Sequence, residues 1–193
     1  DSNYTKIMLQ LNFSPFPILE SERLRFRRLT NEDAPEIFAL RGNPETMKFI
    51  PRPLATTIED ALNHIKIIND KIDENQDINW AVTEKGSDKC IGLMGFYRTQ
   101  PEHFRTELGY MIAPEHNGKG YVTEAVKTLL DYAFNTLNFH SIEAVIDSRH
   151  TASERVLQKN GFEKEAHFKE NFYYNNEFTD TLIYGLLKRN FNK

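Results

Sequence analysis

The stretch with the clearest chemical potential is Pro114-Glu115-His116-Asn117-Gly118-Lys119-Gly120-Tyr121, which follows a strand-like apolar pattern and opens a long helical one. A strand-to-helix junction leaves the first amides of the helix without partners and places the positive end of its dipole there. Glycine at 118 and 120 removes side chains that would hold an anion away from the main chain, so the spacing predicts a phosphate site. On its letters alone, Gly-Lys-Gly fits a simple tight turn equally well. Two better-known phosphate loops do not fit. The Gly-x-x-x-x-Gly-Lys-[Ser/Thr] loop requires Gly at Ala113 and Ser or Thr at Gly120. A Gly-x-Gly-x-x-Gly run begun at Gly118 requires Gly or Ala at Thr123, and the chain does not open with the strand-turn-helix order of a dinucleotide fold.

Other reactive side chains stand alone. Cys90 is the single cysteine, which rules out an internal disulfide. Its place in the run Cys90-Ile91-Gly92-Leu93-Met94-Gly95-Phe96 predicts a buried, inert thiol rather than a nucleophile. His64, His103, His116, His140, His150 and His167 show no His-x-x-x-His spacing, and one thiol cannot build a thiolate cage, so no metal is predicted.

The elements that must position these groups are legible from periodicity. Arg23 to Leu29 alternates basic and apolar residues, the mark of a strand with one buried face. Thr30-Asn31-Glu32-Asp33 then supplies an N-cap and an acidic first turn for a helix carrying Ile37, Phe38 and Leu40, which Gly42-Asn43-Pro44 ends. A second helix starts near Thr57, with Ile58, Leu62, Ile65, Ile68 and Ile72 at helical spacing. Asn79 to Thr83 and Cys90 to Tyr97 read as strands joined by the polar turn Glu84 to Asp88, and Thr106 to Ala113 as the strand before the glycine loop. Val122, Val126, Leu129, Leu130, Ala133, Phe134 and Leu137 then predict one long amphipathic helix. A strand at Ile142 to Ile146, a helix at Thr151 to Lys159 and strands near Phe162 to Tyr173 and Thr179 to Leu187 complete a single α/β domain with a mainly antiparallel early meander. Phe172, Tyr173, Tyr174 and Phe178 in the last hairpin read either as a substrate groove or as cross-strand packing.

The chain's 193 residues suit one domain, and 39% hydrophobic with 27% charged residues is ordinary globular composition. A net charge of -4 gives no general attraction for a polyphosphate, so nucleic-acid binding is not expected. No apolar run approaches the roughly 18 residues that span a bilayer, and the N-terminus lacks a signal peptide's basic start and apolar centre, so the expected location is cytoplasmic, without membrane attachment. Residue 1 is Asp rather than Met, and the first residues are set aside from the fold reasoning.

Three ordered segments resemble the GNAT acetyltransferases. Glu107-Leu108-Gly109-Tyr110-Met111-Ile112-Ala113-Pro114-Glu115 is similar to the family's central strand, and Gly118-Lys119-Gly120-Tyr121-Val122-Thr123-Glu124-Ala125 to its pyrophosphate loop. His150 to Phe162 resembles its Asn-x-x-Ser to Lys-x-Gly-Phe segment. The likeness covers nearly all of the chain from Arg23 onward and lies nearest the Rim-type ribosomal-protein N-terminal acetyltransferases. It implies an α/β (α+β) domain over residues 22–190 after an N-terminal extension, 1–21. The implied sheet is mixed and mainly antiparallel, with about six to seven strands flanked by about four helices. It also implies acetyl-CoA as co-substrate, held by Met111, Ile112, Ala113, Asn117, Gly118, Lys119, Gly120, Tyr121, Val122, Thr123, His150 and Ser153. Asn117 stands where the family has Gln or Arg, Val122 where it has Gly or Ala, and His150 where it has Asn. Leu157 falls where many relatives place a tyrosine acid, so that role moves elsewhere.

The resemblance implies direct attack of a neutral amine on the thioester in a ternary complex. Its acceptor is a primary amine, first a peptide or protein N-terminus, ribosomal or other. A small amine such as a polyamine, amino acid or aminoglycoside is the alternative, and a non-catalytic acyl-CoA-binding protein the reading from a different class. Homodimerisation is left open. Glu107 is the first candidate for the base that takes the amine's proton, with a structural carboxylate as its alternative and His103 as runner-up. Ser153 is the candidate donor to the departing thiolate, with plain helix support as its alternative. The backbone amide after Met111 or Ile112 would polarise the thioester oxygen.

Overall fold

The computed structural model describes residues 7–191. Strands Leu19–Glu20 (β1) and Leu24–Arg27 (β2) open the sheet. The expected alternation holds in β2: Leu24 and Phe26 are buried, and Arg27 on the other face pairs with Asp33 at 2.7 Å. Thr30 and Asp33 form a reciprocal cap around a 3-10 turn, Asn31–Asp33, and helix Ala34–Arg41 (α1) follows it. Thr57 and Asp60 form a second capping box at the start of helix Ile58–Asp73 (α2), which buries Ala61, Ile65, Ile68 and Ile72.

Strands Ile78–Glu84 (β3), Gly92–Gln100 (β4) and Arg105–Ile112 (β5) form the meander. Helix Tyr121–Asp131 (α3) leaves the glycine loop and passes into a π-helical turn, Tyr132–Thr136, where one uninterrupted helix was expected. That wider turn buries three consecutive residues, Tyr132, Ala133 and Phe134. Strand Ser141–Asp147 (β6), helix Thr151–Lys159 (α4), strands Glu163–Tyr174 (β7) and Glu177–Leu187 (β8), and a short helix Lys188–Phe191 (α5) complete the described chain.

The strands form one sheet in the order β1-β2-β3-β4-β5-β6-β8-β7. Every pairing is antiparallel except β5 with β6. The 8-stranded sheet exceeds the expected six to seven because β1, only 2 residues long, is too short to show any alternation. α5 likewise adds a fifth helix to the expected four. The stretch set apart as an extension supplies β1, buries Phe13 and offers the Pro17 carbonyl to the Trp80 indole N–H at 2.8 Å.

Registers divide the meander into two faces. Trp80, Met94, Phe96, Leu108 and Tyr110 share one, and Trp80 meets Tyr132 edge to face at 5.7 Å beyond the end of α3. Asn79, Leu93, Gly95, Tyr97, Glu107, Gly109 and Met111 share the opposite face, on the α1 and α2 side.

Candidate active site

The phosphate loop is built as its residue types require. Past β5, a 3-10 turn satisfies the His116 and Asn117 amides with the Ala113 and Pro114 carbonyls, at 2.9 and 3.1 Å. Gly118 and Gly120 then both take φ of 78°, a left-handed conformation that residues with a Cβ rarely adopt. The first bond of α3 runs from the Glu124 N–H to the Gly120 carbonyl at 3.1 Å. Among the described residues, the backbone N–H groups of residues 118–123 donate to no acceptor. A Cβ at Gly118 would meet nothing within 4 Å, so the approach is open. This run of amides at a helix start is an anion nest.

Neighbouring side chains leave the nest clear. Glu124, an acid that would repel a phosphate, accepts from Ser21 Oγ at 2.6 Å, the Arg23 N–H at 2.9 Å and Arg23 Nε at 2.7 Å. Burial acts to raise its pKa, but these donors bring it below the ordinary carboxylate range. Arg23 also donates to the Lys119 carbonyl at 2.8 Å, pinning the loop from outside. Tyr121 turns inward and donates to Glu84 Oε2 at 2.6 Å, so its side chain braces the helix start. Val122 is partly buried and packs against the core. Asn117 and Lys119 are exposed beside the nest.

The cleft leading from this nest comes from a parallel pair that opens. β5 and β6 pair only at Arg105 with Ser141, Thr106 with Ile142 and Glu107 with Glu143. Beyond Glu107 the strands part, and the edge of β5 facing β6 is left without a partner. The Ala113 N–H donates to the Ile91 carbonyl at 2.8 Å, on the β4 side. By strand alternation the amide of Ile112 points the other way, into the opening. Of the two amides considered for the thioester oxygen, the one after Met111 is therefore available and the one after Ile112 is engaged.

Across the opening, α4 presents Ser153, which is buried, with its Oγ 2.5 Å from the Tyr110 hydroxyl. His150 is the N-cap of α4, and its Nδ1 accepts from the Ser153 N–H at 3.3 Å. A ring nitrogen thus caps this helix. Burial pushes the His150 pKa down, against a smaller opposing effect of Asp147, which keeps the ring neutral as an acceptor must be. Leu157 is fully buried and offers no chemistry. Tyr110 is the hydroxyl that the sequence reading left unassigned. Its one signal was a phenol alternating with Leu108 and Ile112 on an otherwise apolar strand face.

Glu107 lies where β5 and β6 part, 7% exposed, and both carboxylate oxygens accept from Arg98, through Nε and, at 2.8 Å, through Nη2. Arg98 reaches it from a bulge between Tyr97 and Gln100 and takes φ of 50° to do so. His103 sits in the turn before β5, exposed, at the far end of that strand from the glycine loop. It precedes Arg105 to Glu107, the stretch where β5 and β6 stay paired, so it lies at the closed end of that pair and outside the opening. Cys90 is buried and its thiol is pushed up to about 12, chiefly by burial, as an inert thiol should be. In the last hairpin, Tyr173 pairs directly with Phe178, rings 4.8 Å apart, and both are exposed. Among the described residues no group of His, Cys, Asp and Glu is arranged to hold a metal ion, and no helix is long and apolar enough to cross a membrane.

An opened parallel strand pair with an anion nest at its mouth defines a protein that takes an elongated, phosphate-ended ligand into its sheet. The family described as the acetyltransferase (GNAT) domain matches residues 23–163, and the chain belongs to it. The chain is 34% identical over 173 residues to the uncharacterized N-acetyltransferase YoaA of Bacillus subtilis (strain 168), covering 90% of this chain and 98% of that one. It is similar in structure to the spermidine N-acetyltransferase of Vibrio cholerae in complex with CoA and spermine, with TM-score 0.78, 26% identity and coverage of 88% and 98%. A ribosomal-protein-S5-alanine acetyltransferase from Vibrio fischeri matches with TM-score 0.80 at 24% identity, covering 91% and 98%, a likeness of fold. Enzymes of this family use acetyl-CoA, and the unpartnered amides of the glycine loop suit its pyrophosphate.

Proposed function

We propose that this protein transfers the acetyl group of acetyl-CoA to the α-amine of a peptide or protein by direct attack in a ternary complex. The observation that carries this reading is the run of unpartnered amides, residues 118–123, at the mouth of the opening between β5 and β6. Its pyrophosphate contacts are main-chain ones, which is why Asn117 and Val122 are tolerated. The Ile112 N–H polarises the thioester oxygen. Glu107 takes the amine's proton as the N–C bond forms and the C–S bond breaks.

The Tyr110 hydroxyl lies 2.5 Å from Ser153 Oγ and also donates toward the Ser153 carbonyl at 3.4 Å, so with Tyr110 as the donor the Ser153 proton is the one free for the departing sulfur. Burial pushes the Tyr110 phenol up to about 12, against the opposing bond from Ser153. A thiol near 8.5 is far more acidic, which makes net proton transfer from Tyr110 uphill by more than roughly a thousandfold. The pair therefore stabilises the thiolate by hydrogen bonding rather than acting as its acid. The catalytic unit in this reading is residues 22–190, and the buried lone thiol of Cys90 accords with a cytoplasmic setting.

The likeness to a spermidine N-acetyltransferase supports a second reading, acetylation of a small polyamine. Calorimetry with CoA alone, beside thiol release from acetyl-CoA with a panel of peptide and polyamine amines, tests both. CoA binding with no thiol release for any amine would overturn acetyl transfer and leave an acyl-CoA-binding protein.

A further inference from the structure

We propose that the acceptor amine carries a carboxylate, gripped by Arg41 with Arg52 on the α1 and α2 side of the opening. The inference rests on the acetyl-transfer reading and names the substrate class for that site. The sheet face carrying Tyr97, Glu107, Gly109 and Met111 is the one turned to that side. Tyr97 lies flat against Gly109, where a Cβ would come within 2.6 Å of its ring, so the phenol borders the strand from which Glu107 projects. Arg41, at the last turn of α1, is the cation that bears on this phenol from the helix layer. The Arg41 carbonyl accepts the Ala55 N–H at 3.0 Å, which folds the segment between α1 and α2 back over the end of α1 and brings Arg52 near. Within the same segment, Phe49 lies against His150, ring centroids 4.7 Å apart, which brings this segment to the start of α4 beside the opening.

Counterions separate Arg41 from the other partly buried arginines. Arg23, Arg27, Arg28, Arg98, Arg105 and Arg149 each hold a carboxylate. Among the described residues Arg41 has no carboxylate within 4.0 Å and its guanidinium makes no hydrogen bond, although the residue is partly buried. Arg52 donates only to the carbonyl of its neighbour Pro51, at 3.2 Å. Leaving a partly buried guanidinium unpaired is costly in a protein whose net charge is -4 and whose acids are plentiful. Burial accordingly lowers the Arg41 pKa against an opposing effect of Tyr97, with Arg52 a smaller lowering influence.

Three acids on this side of the sheet and on α2 are engaged: Glu107 by Arg98, Asp77 by the Thr99 N–H at 3.1 Å, and Asp60 by the cap of α2. His64 adds no negative charge. A polycation entering here meets two unneutralised arginines, whereas a carboxylate completes the fork geometry that a guanidinium offers.

The test compares kcat/KM for three kinds of acceptor: free amino acids, amidated peptides with an N-terminal Asp or Glu, and the uncharged amide counterparts of both, with spermidine alongside. The expected result is a preference of at least about tenfold for the carboxylate over its amide, and the first two acceptors distinguish a free α-carboxylate from an acidic side chain. Arg41→Gln should raise KM for the carboxylate acceptor and collapse that preference while CoA affinity holds; Arg41→Lys should restore part of it. Arg52→Gln, at an exposed position, repeats the test should Arg41→Gln fail to fold. Equal use of acid and amide, preference for spermidine, or an unchanged ratio in the variants would overturn the inference while acetyl transfer stands. No thiol release with any acceptor would remove acetyl transfer itself.

Discussion

Glu107 and Arg98 face a conflict between structure and chemistry. A carboxylate bound at both oxygens is well placed but engaged, so the amine must compete with Arg98 for it or pass its proton through water. Glu107→Gln is expected to lower kcat for high-pKa amines by about ten- to a thousandfold with CoA affinity retained. The loss should shrink as pH rises, since solvent then deprotonates more of the amine; a flat pH response would assign Glu107 to structure. Ser153→Ala and Tyr110→Phe each remove one hydroxyl of the donor pair, and both should reduce kcat more than they weaken CoA binding. Steady-state rates beside calorimetric constants decide this, and equal rates would reduce Ser153 to support of α4. Much of this site was legible in the sequence: the glycine loop, Ser153 and Glu107 stand in recognisable segments. Tyr110 was not, because its partner lies 43 residues away, and the Arg98 contact was hidden because it depends on a bulge that no local pattern marks.

Among the elements, capping and periodicity carried most of the fold. Thr57 closes its box with Asp60, and the hydrogen bond from the Thr56 N–H leads the contacts that hold the Asp60 carboxyl below its ordinary range. Thr57→Ala should cost about 1 kcal/mol in urea unfolding with activity per folded molecule unchanged. The glycine loop makes the opposite demand, for backbone freedom rather than a side chain. Gly120→Ala places a Cβ at φ of 78°, a conformation that L side chains rarely adopt, so the strain falls on the loop backbone. Calorimetry is expected to show CoA binding weakened about tenfold or more in a folded variant, as loss of close approach to an anion requires. What periodicity could not show was the parting of β5 from β6. Both strands read as ordinary, and the separation arises from long-range pairing with β4 on one side and β8 on the other.

At the scale of the whole molecule, the layer of α1 and α2 over the sheet determines how stability responds to pH. His64, partly buried in that layer, has its pKa lowered to about 4, first by burial and then by Arg41 and Lys71. The folded state therefore binds this proton less readily than the unfolded chain, whose histidine titrates near 6.5. Its contribution is fully present above about pH 6.5 and is lost as pH falls from there toward 4, because protonation then favours the unfolded chain. Between pH 7 and pH 5 the expected loss is of order 1–2 kcal/mol. His64→Gln should remove that part of the slope, so in urea unfolding the variant should gain on the parent by that amount as pH falls. Parallel pH profiles would show that His64 is solvated well enough to titrate normally.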